Sequence, residues 1–380
     1  MPEALKTFFS PALVRRLAAD LARVDSSFAE AAFVRDATRG LNDLELLARG
    51  RHIAGALARH LPSDYRAAIG ILLKSLGPEH ATDELVGAGM APFFYLPHVT
   101  FVAERGLDHF DESMRAQYEL TKRFSAESSI RPYIARDPER TLGVLSRWAN
   151  DPNAHVRRLV SEGTRLRLPW AARVRWLDEH PERVLALLER LKDDPASLVR
   201  RSVANSLNDL GKVHPALLIR TSRRWLAGAS ARRRALVEHA LRSAVRRGDA
   251  AALRLLGYGR APSVAVDEVR MTPRRVAIGG RVAIACVVRN TSGAAQNLLL
   301  DLVVHFVKRH GRATPKVFKL KRLRIAPGGR APLRARISLA VHTTRVPHPG
   351  RHAVELVVNG RRYALGSFVV GRASGGSTSR

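Results

Sequence analysis

The sequence predicts a multidomain chain, α then all-β: a HEAT-like α-solenoid followed by an immunoglobulin-like β-sandwich. Three observations carry this. One helical unit is written twice at a constant shift, with a more diverged copy before it. The hydrophobic period then changes from helical to alternating near Val264. About seven alternating runs follow before the end of the chain.

The repeat is the firmest of the three. Asp137-Pro-Glu-Arg140 with Asp151-Pro-Asn-Ala-His-Val-Arg-Arg158 aligns on His180-Pro-Glu-Arg183 with Asp194-Pro-Ala-Ser-Leu-Val-Arg-Arg201, a shift of 43 residues throughout. A fixed period of that size means stacked helical pairs. Asp suits an N-cap and Pro the first helical position, so Asp151-Pro152 and Asp194-Pro195 are expected to open the second helix of each pair.

Before the repeats, Leu13, Leu17, Leu21, Phe28, Ala32, Leu44 and Leu47 recur at helical spacing and predict capping helices up to about Leu61. A further helix is expected from Asp64 to Leu76. Pro92-Phe-Phe-Tyr-Leu-Pro97 reads as an aromatic bend whose rings pack the end of the solenoid. After the repeats, Arg232 to Arg247 is a basic helix closed by Gly248, and a short helix reaches Leu256. The resulting boundaries are a HEAT-like repeat domain at 1–257, a linker at 258–263, an Ig-like domain at 264–371 and a disordered tail at 372–380. Within the Ig-like domain the strands are Val264–Val269, Arg281–Val288, Leu298–Val307, Lys316–Ile325, Pro332–Leu339, Ala353–Val358 and Tyr363–Val370. Asn359-Gly360 turns between the last two.

Charge narrows the partner. Lys and Arg number 64 against 34 Asp and Glu, a formal +30, far beyond what solubility asks for, and nucleic acid is the default polyanion. From Val264 onward 22 basic residues face only Asp267, Glu268, Asp301 and Glu355. No apolar run is long enough to span a membrane and no leader pattern opens the chain, so a cytoplasmic protein without a membrane partner is expected. Cys286 is the single cysteine, in a strand-like run. That excludes an intrachain disulfide and thiolate clusters, and the scattered histidines offer no metal-ligand spacing.

Comparison of the repeats isolates candidate site residues. Glu127 lies four residues after Arg123, Glu162 four after Arg158, and Asn205 four after Arg201, with Asp209 one turn further on. Equal phase in stacked repeats predicts one polar row, with Glu127, Glu162 and Asp209 as an acidic cluster on the concave face. The competing reading makes each Glu an i,i+4 partner of the preceding Arg. Gly163-Thr-Arg-Leu-Arg-Leu-Pro-Trp170 ends a helix and delivers Arg165, Arg167 and Trp170 into a loop, where Trp170 either packs or meets a ligand. Lys122, Arg123, Arg157, Arg158, Arg165, Arg167, Arg200 and Arg201 recur beside the row or at helix starts and are candidate phosphate contacts. One Arg of each pair is also expected to pair with Asp inside the solenoid. In the last domain, Lys316, Lys319, Lys321, Arg322 and Arg324 alternate with apolar residues, and with Arg309 and Arg312 they form a second candidate DNA surface.

With these motifs the chain resembles the AlkC branch of the AlkC/AlkD family of HEAT-like alkylpurine DNA glycosylases, and the appended Ig-like domain resembles that of one AlkC subgroup. The resemblance covers residues 1–257 and implies excision of cationic N-alkylated bases from duplex DNA, chiefly N3-methyladenine, with 3-methylcytosine as a second candidate. Glu127, Glu162 and Asp209 fall on its catalytic positions and Trp170 on a lesion-contacting one. Ser128 departs from it, since Phe is commoner there. No cofactor and no metal are implied, and the expected state is a monomer associated with the nucleoid. The rival expectation is a non-catalytic HEAT binder of bent or branched DNA, or a protein scaffold.

Overall fold

The computed structural model describes residues 5–80, 89–259, 262–341 and 346–371. The tail 372–380 and linker residues 260 and 261 lie outside the described residues. The chain divides into two compact units, 1–240 and 241–380.

The helices are α1 (Pro11–Ala22), α2 (Glu30–Thr38), α3 (Leu46–His60), α4 (Tyr65–Lys74), α5 (Leu96–Arg105), α6 (Phe110–Thr121), α7 (Arg131–Arg136) and α8 (Pro138–Trp148). They continue as α9 (Ala154–Gly163), α10 (Arg175–Glu179), α11 (Pro181–Leu191), α12 (Ser197–Val213), α13 (Pro215–Leu226), α14 (Ala231–Arg246) and α15 (Ala250–Leu255). The 43-residue shift holds at the level of helix starts. Pro138 opens α8 and Pro181 opens α11, while Ala154 opens α9 and Ser197 opens α12. Apolar positions at helical spacing, such as Val156, Leu159 and Val160 of α9 with Val199, Val203 and Leu207 of α12, are buried where α9 and α12 pack side by side.

One expectation is corrected. Asp151-Pro152 and Asp194-Pro195 do not open the second helices, which begin two residues later. Asn153 caps α9 by accepting from His155 N and Val156 N. Asp151 and Asp194 instead accept from Asn153 N and Ala196 N, bending the chain ahead of the helix.

The boundary between the compact units falls inside α14, so its last turns and α15 group with the strands, whereas the sequence boundary assigns them to the solenoid. The reason is a close approach between two turns. A Cβ on Gly360 would lie 2.7 Å from Gly248 Cα and 3.3 Å from Leu253 Cδ1, so the α14–α15 turn rests on the final hairpin.

The second unit holds β1 (Val264–Thr272), β2 (Arg275–Ala277), β3 (Arg281–Asn290), β4 (Gln296–Val307), β5 (Ala313–Ile325), β6 (Arg330–Ser338), β7 (Gly350–Val358) and β8 (Arg361–Gly371). They form a three-stranded sheet, β1-β3-β6, and a five-stranded sheet, β2-β8-β7-β4-β5, the two-layer sandwich that the alternation predicts. Val282, Ile284, Cys286 and Val288 of β3 and Leu298, Leu300, Leu302 and Val304 of β4 contribute to one core. Burial pushes the Cys286 thiol up to about 11, which leaves it an inert apolar side chain. The eighth strand, β2, pairs parallel to β8 over three residues, too short a run for alternation to reveal. Asn359 and Gly360 both take positive φ, 46° and 82°, as a two-residue hairpin turn requires.

Candidate active site

The three carboxylates singled out by the sequence are joined by arginines. Glu127 sits in the turn between α6 and α7, Glu162 near the end of α9, and Asp209 within α12. Arg158 Nη2 lies 2.9 Å from Glu127 Oε2 and 3.9 Å from Glu162 Oε1. These two carboxylates are therefore no further apart than those lengths combined, inside the roughly 9.5 Å spanned by carboxyl pairs that act on one sugar. Arg165 Nη1 donates to Glu162 Oε1 at 2.5 Å, and Arg165 Nε donates to Asp209 Oδ2 at 2.8 Å. Lys212 Nζ donates to Asp209 Oδ1 at 2.7 Å, and Ser202 Oγ donates to Glu162 Oε2 at 2.5 Å.

The bare acidic row expected from helical phase is thus an alternating chain, in which three carboxylates meet Arg158, Arg165 and Lys212. Burial alone would lower the Arg165 pKa, but Glu162 and Asp209 outweigh it and hold the guanidinium pKa above its ordinary value. Accessibility is graded along the chain. The Glu127 side chain is 28% exposed, whereas those of Glu162 and Asp209 are 7% and 1% exposed.

Helical phase does not account for this cluster. α6 ends at Thr121, so Arg123 and Glu127 share no helix, and Asn205 hydrogen-bonds His239. What brings Glu127 to Glu162 is a close approach at Gly163. A Cβ there would stand 2.7 Å from Ile130 Cγ2 and 3.8 Å from Glu127 O, so only glycine lets the end of α9 seat against the Glu127 turn.

Trp170 is not a packing residue. It is 69% exposed and holds φ at +63°, a conformation that costs a bulky side chain about 1–3 kcal/mol and tends to persist at functional sites. The loop that carries it is fastened by Arg131, which sequence reading missed. Arg131 is buried and donates from Nη1 to Gly163 O and Arg165 O and from Nε to Ala172 O, each at 2.9 Å, so it clips both ends of the loop. Burial pulls its pKa down to about 10, against the opposing pull of Asp178. The only sequence signal is Arg-Pro at the start of a short helix, which does not show what the guanidinium meets.

A cleft of about 290 Å³ joins these pieces, lined by Glu127, Arg158 and Trp170 together with Phe93, Phe124 and Leu168. Phe93, expected to pack the end of the solenoid, therefore borders the site instead.

Most of the candidate phosphate contacts are already engaged. Lys122 pairs with Glu79 and Glu119, Arg123 with Glu119, Arg167 with Asp178, and Arg200 donates to Asp194 O and Pro195 O. Arg157 makes a two-point pair with buried Asp194 at 2.6 and 3.0 Å, the Asp–Arg contact expected of one member of each pair, whereas in the Arg200/Arg201 pair Arg200 meets only the backbone oxygens of its own loop. Arg201 is exposed and has no ion pair among the described residues. In the other unit, β5 is an edge strand of its sheet. Lys316, Lys319, Lys321, Arg322 and Arg324 are exposed there, while Phe318, Leu320 and Leu323 pack against the core. Leu300 pairs with Lys321 and Asp301 with Lys319, so Leu320 is an extra, bulged residue that resets the alternation. Among the described residues no group of His, Cys, Asp and Glu has the makings of a metal site, and no helix is long and apolar enough to cross a membrane.

Comparison with known proteins gives a consistent picture. Residues 123–247 match the profile of the DNA alkylation repair enzyme family, and residues 265–372 match that of the C-terminal Ig-like domain of the uncharacterised protein YhaZ. Uncharacterised protein YhaZ of Bacillus subtilis (strain 168) is 32% identical over 318 residues, 84% of this chain and 85% of that protein. The alkylpurine DNA glycosylase AlkC of Pseudomonas fluorescens, solved bound to DNA containing an abasic site analog, is 33% identical. It superposes with a TM-score of 0.88 over 97% of this chain and 100% of the other.

Proposed function

We propose, from the premise that this chain belongs to the AlkC branch of the AlkC/AlkD family of HEAT-like alkylpurine DNA glycosylases, that it repairs alkylated DNA by hydrolysing the N-glycosidic bond of cationic N-alkylated bases in duplex. N3-methyladenine is the first substrate and 3-methylcytosine the second. The observation that carries this reading is the run Glu127–Arg158–Glu162–Arg165–Asp209 beside an exposed, positive-φ Trp170, with Glu127 and Trp170 on one cleft.

The chemistry suits those groups. A base that already carries a positive charge leaves as a neutral ring and needs no strong general acid, so the barrier lies in the sugar as it becomes oxocarbenium-like. Glu127, the accessible carboxylate, stabilises that charge at C1′. Glu162, fixed by Ser202 and Arg165, orients and receives the proton of the attacking water. Asp209 acts through its field and by holding Arg165. The indole of Trp170 offers a π face to the cationic base or packs on its deoxyribose. Arg158 and Arg165 hold the carboxylates in place before substrate arrives, so little reorganisation is left for the reaction. No metal or cofactor enters this scheme, and a single chain supplies every group in it. Phosphates are met by Arg201 and by the basic face of β5, and the working environment is nucleoid DNA in the cytoplasm.

One observation favours the rival, non-catalytic reading: Asp209 is wholly buried, with both oxygens engaged. Release of free base from methylated duplex decides between them. Release well above the spontaneous rate is expected, and release at the spontaneous rate would leave a DNA binder.

A further inference from the structure

A second cavity lies in the strand unit, at the edge of the five-stranded sheet opposite β5. Arg275 of β2 pairs with Val369 of β8, and Val369 pairs with Arg351 of β7. Residues in register share a face, and Phe368 and Val370 on either side of Val369 belong to the core. Arg275 and Arg351 therefore stand on the outer face about two strand spacings, roughly 10 Å, apart. Arg274 joins them, and the three rim a cavity of about 310 Å³ that no carboxylate lines. Arg351 Nη1 donates to Ser367 Oγ at 3.4 Å, which leaves the hydroxyl proton free for an acceptor. The four acids from Val264 onward are committed elsewhere. Asp267 pairs with Arg289, Glu268 with Arg330 and Glu355 with Arg362, while Asp301 is buried opposite Lys319. Three like charges around one cavity repel one another unless an anion enters it.

We propose that this cavity binds a terminal phosphomonoester, carried either by the end of a DNA strand or by a free mononucleotide. A monoester carries a charge of about −1.5 to −2 at neutral pH and three free oxygens, so each guanidinium can take one. A phosphodiester within a strand offers one charge and two such oxygens. The planar fork of arginine matches phosphate geometry. The volume exceeds what a phosphate group needs and lies at the lower edge of the roughly 300–1,000 Å³ of small-molecule pockets. Met271 and Leu365, both buried, line the remainder and give the attached sugar and ring an apolar wall. A cavity also favours a chain end over a phosphate in mid-strand, whose sugars must continue on both sides. This site is independent of the glycosylase reading above.

The test titrates the full chain with 2′-deoxyadenosine 5′-monophosphate, with 2′-deoxyadenosine, and with nicked duplexes that carry a 5′-phosphate or a 5′-hydroxyl at the nick. Wild type is expected to prefer the monoester at least about tenfold in the nucleotide pair, the nick pair or both. Arg274→Gln/Arg275→Gln/Arg351→Gln, all at exposed positions, should remove that preference, and its unchanged affinity for intact duplex shows that it is folded. Lys316→Gln/Lys319→Gln/Lys321→Gln takes the same charge from the same unit and should keep the preference. An arginine-dependent preference at the nick assigns the strand end as the source, and one confined to the nucleotide pair assigns the free mononucleotide. A preference that wild type lacks, that survives in the arginine variant, or that the lysine variant loses equally overturns the proposal. So does an arginine variant that loses as much affinity for intact duplex as for the 5′-phosphorylated nick while binding the nucleotide like wild type, since these arginines would then be backbone contacts.

Discussion

Arg158 Nη2 stands 2.9 Å from Glu127 Oε2, so the accessible carboxylate of the site already has a cation on it before DNA arrives. Removing that carboxylate has two separable consequences: the sugar loses a counter-charge, and Arg158 loses its partner and becomes available to phosphate. Glu127→Gln is therefore expected to lower the single-turnover excision rate at least about tenfold, or 1.4 kcal/mol, while duplex affinity stays level or rises. Glu162→Gln should show the same rate loss without the gain in affinity, because its Arg165 keeps Asp209. Full excision by both variants would remove the carboxylates from the mechanism.

The clip on the Trp170 loop gives a second prediction. Arg131→Lys keeps a cation but cannot reach Gly163 O, Arg165 O and Ala172 O together. The loop ends should loosen, and excision should fall about tenfold with stability lowered by roughly 2 kcal/mol. The readout that separates positioning from stability is a double-mutant comparison. If Arg131 acts through Trp170, adding Arg131→Lys to Trp170→Ala costs less than about twofold more in rate. Additive losses would show that Arg131 serves stability alone.

What could and could not be read from the sequence follows from the range of each interaction. Pro138 and Pro181 mark helix starts through local backbone chemistry, and Asn359-Gly360 marks a hairpin in the same way, so these were legible one residue at a time. Glu127, Glu162 and Asp209 were found through the repeat and the resemblance. The pairing of Glu162 with Arg158 was legible as an i,i+4 contact, but the reach of Arg158 to Glu127 and of Arg165 to Asp209 was not, because those partners lie 31 and 44 positions away in sequence. The close approach at Gly163 and the positive φ of Trp170 depend on how neighbouring turns pack. No spacing in the chain records either. Phe93 was legible as an aromatic but not as a cleft residue, since a packing ring and a lining ring leave the same mark in sequence.

A third prediction comes from His98, buried within α5 with no partner for Nδ1 among the described residues. Burial lowers its pKa to about 3. Between the unfolded value of about 6.5 and that folded value, the unfolded chain holds a proton that the folded chain lacks. Stability therefore rises with pH across this window and falls as the solution is acidified, by up to about 1.4 kcal/mol per pH unit. Denaturant melts of wild type and His98→Phe between about pH 6 and pH 4 should show a shallower dependence in the variant. Equal slopes would mean that His98 is protonated in the fold.

The last prediction concerns the basic strand β5, for which two physical explanations compete. Lysines on an exposed edge strand deter other chains from pairing with it, and that alone would account for Lys316, Lys319 and Lys321 on the outermost strand of the five-stranded sheet. The deterrent reading does not explain why 22 basic residues face four acidic ones from Val264 onward, a bias that spreads well beyond one edge. Phosphate binding explains the bias, and it makes a different demand on experiment. Each true phosphate contact contributes about one to the slope of log affinity against log salt. Lys316→Gln/Lys319→Gln/Lys321→Gln in the full chain should lower duplex affinity at least about tenfold at moderate salt and reduce the slope by up to about three. Arg201→Gln should reduce it by about one. Arg157→Gln is the internal control: its partner Asp194 is buried, so that change should cost roughly 3 kcal/mol of stability and leave the slope alone. If the triple variant aggregates while its monomeric fraction keeps wild-type affinity and slope, β5 is a guarded edge and the DNA surface of this unit lies elsewhere.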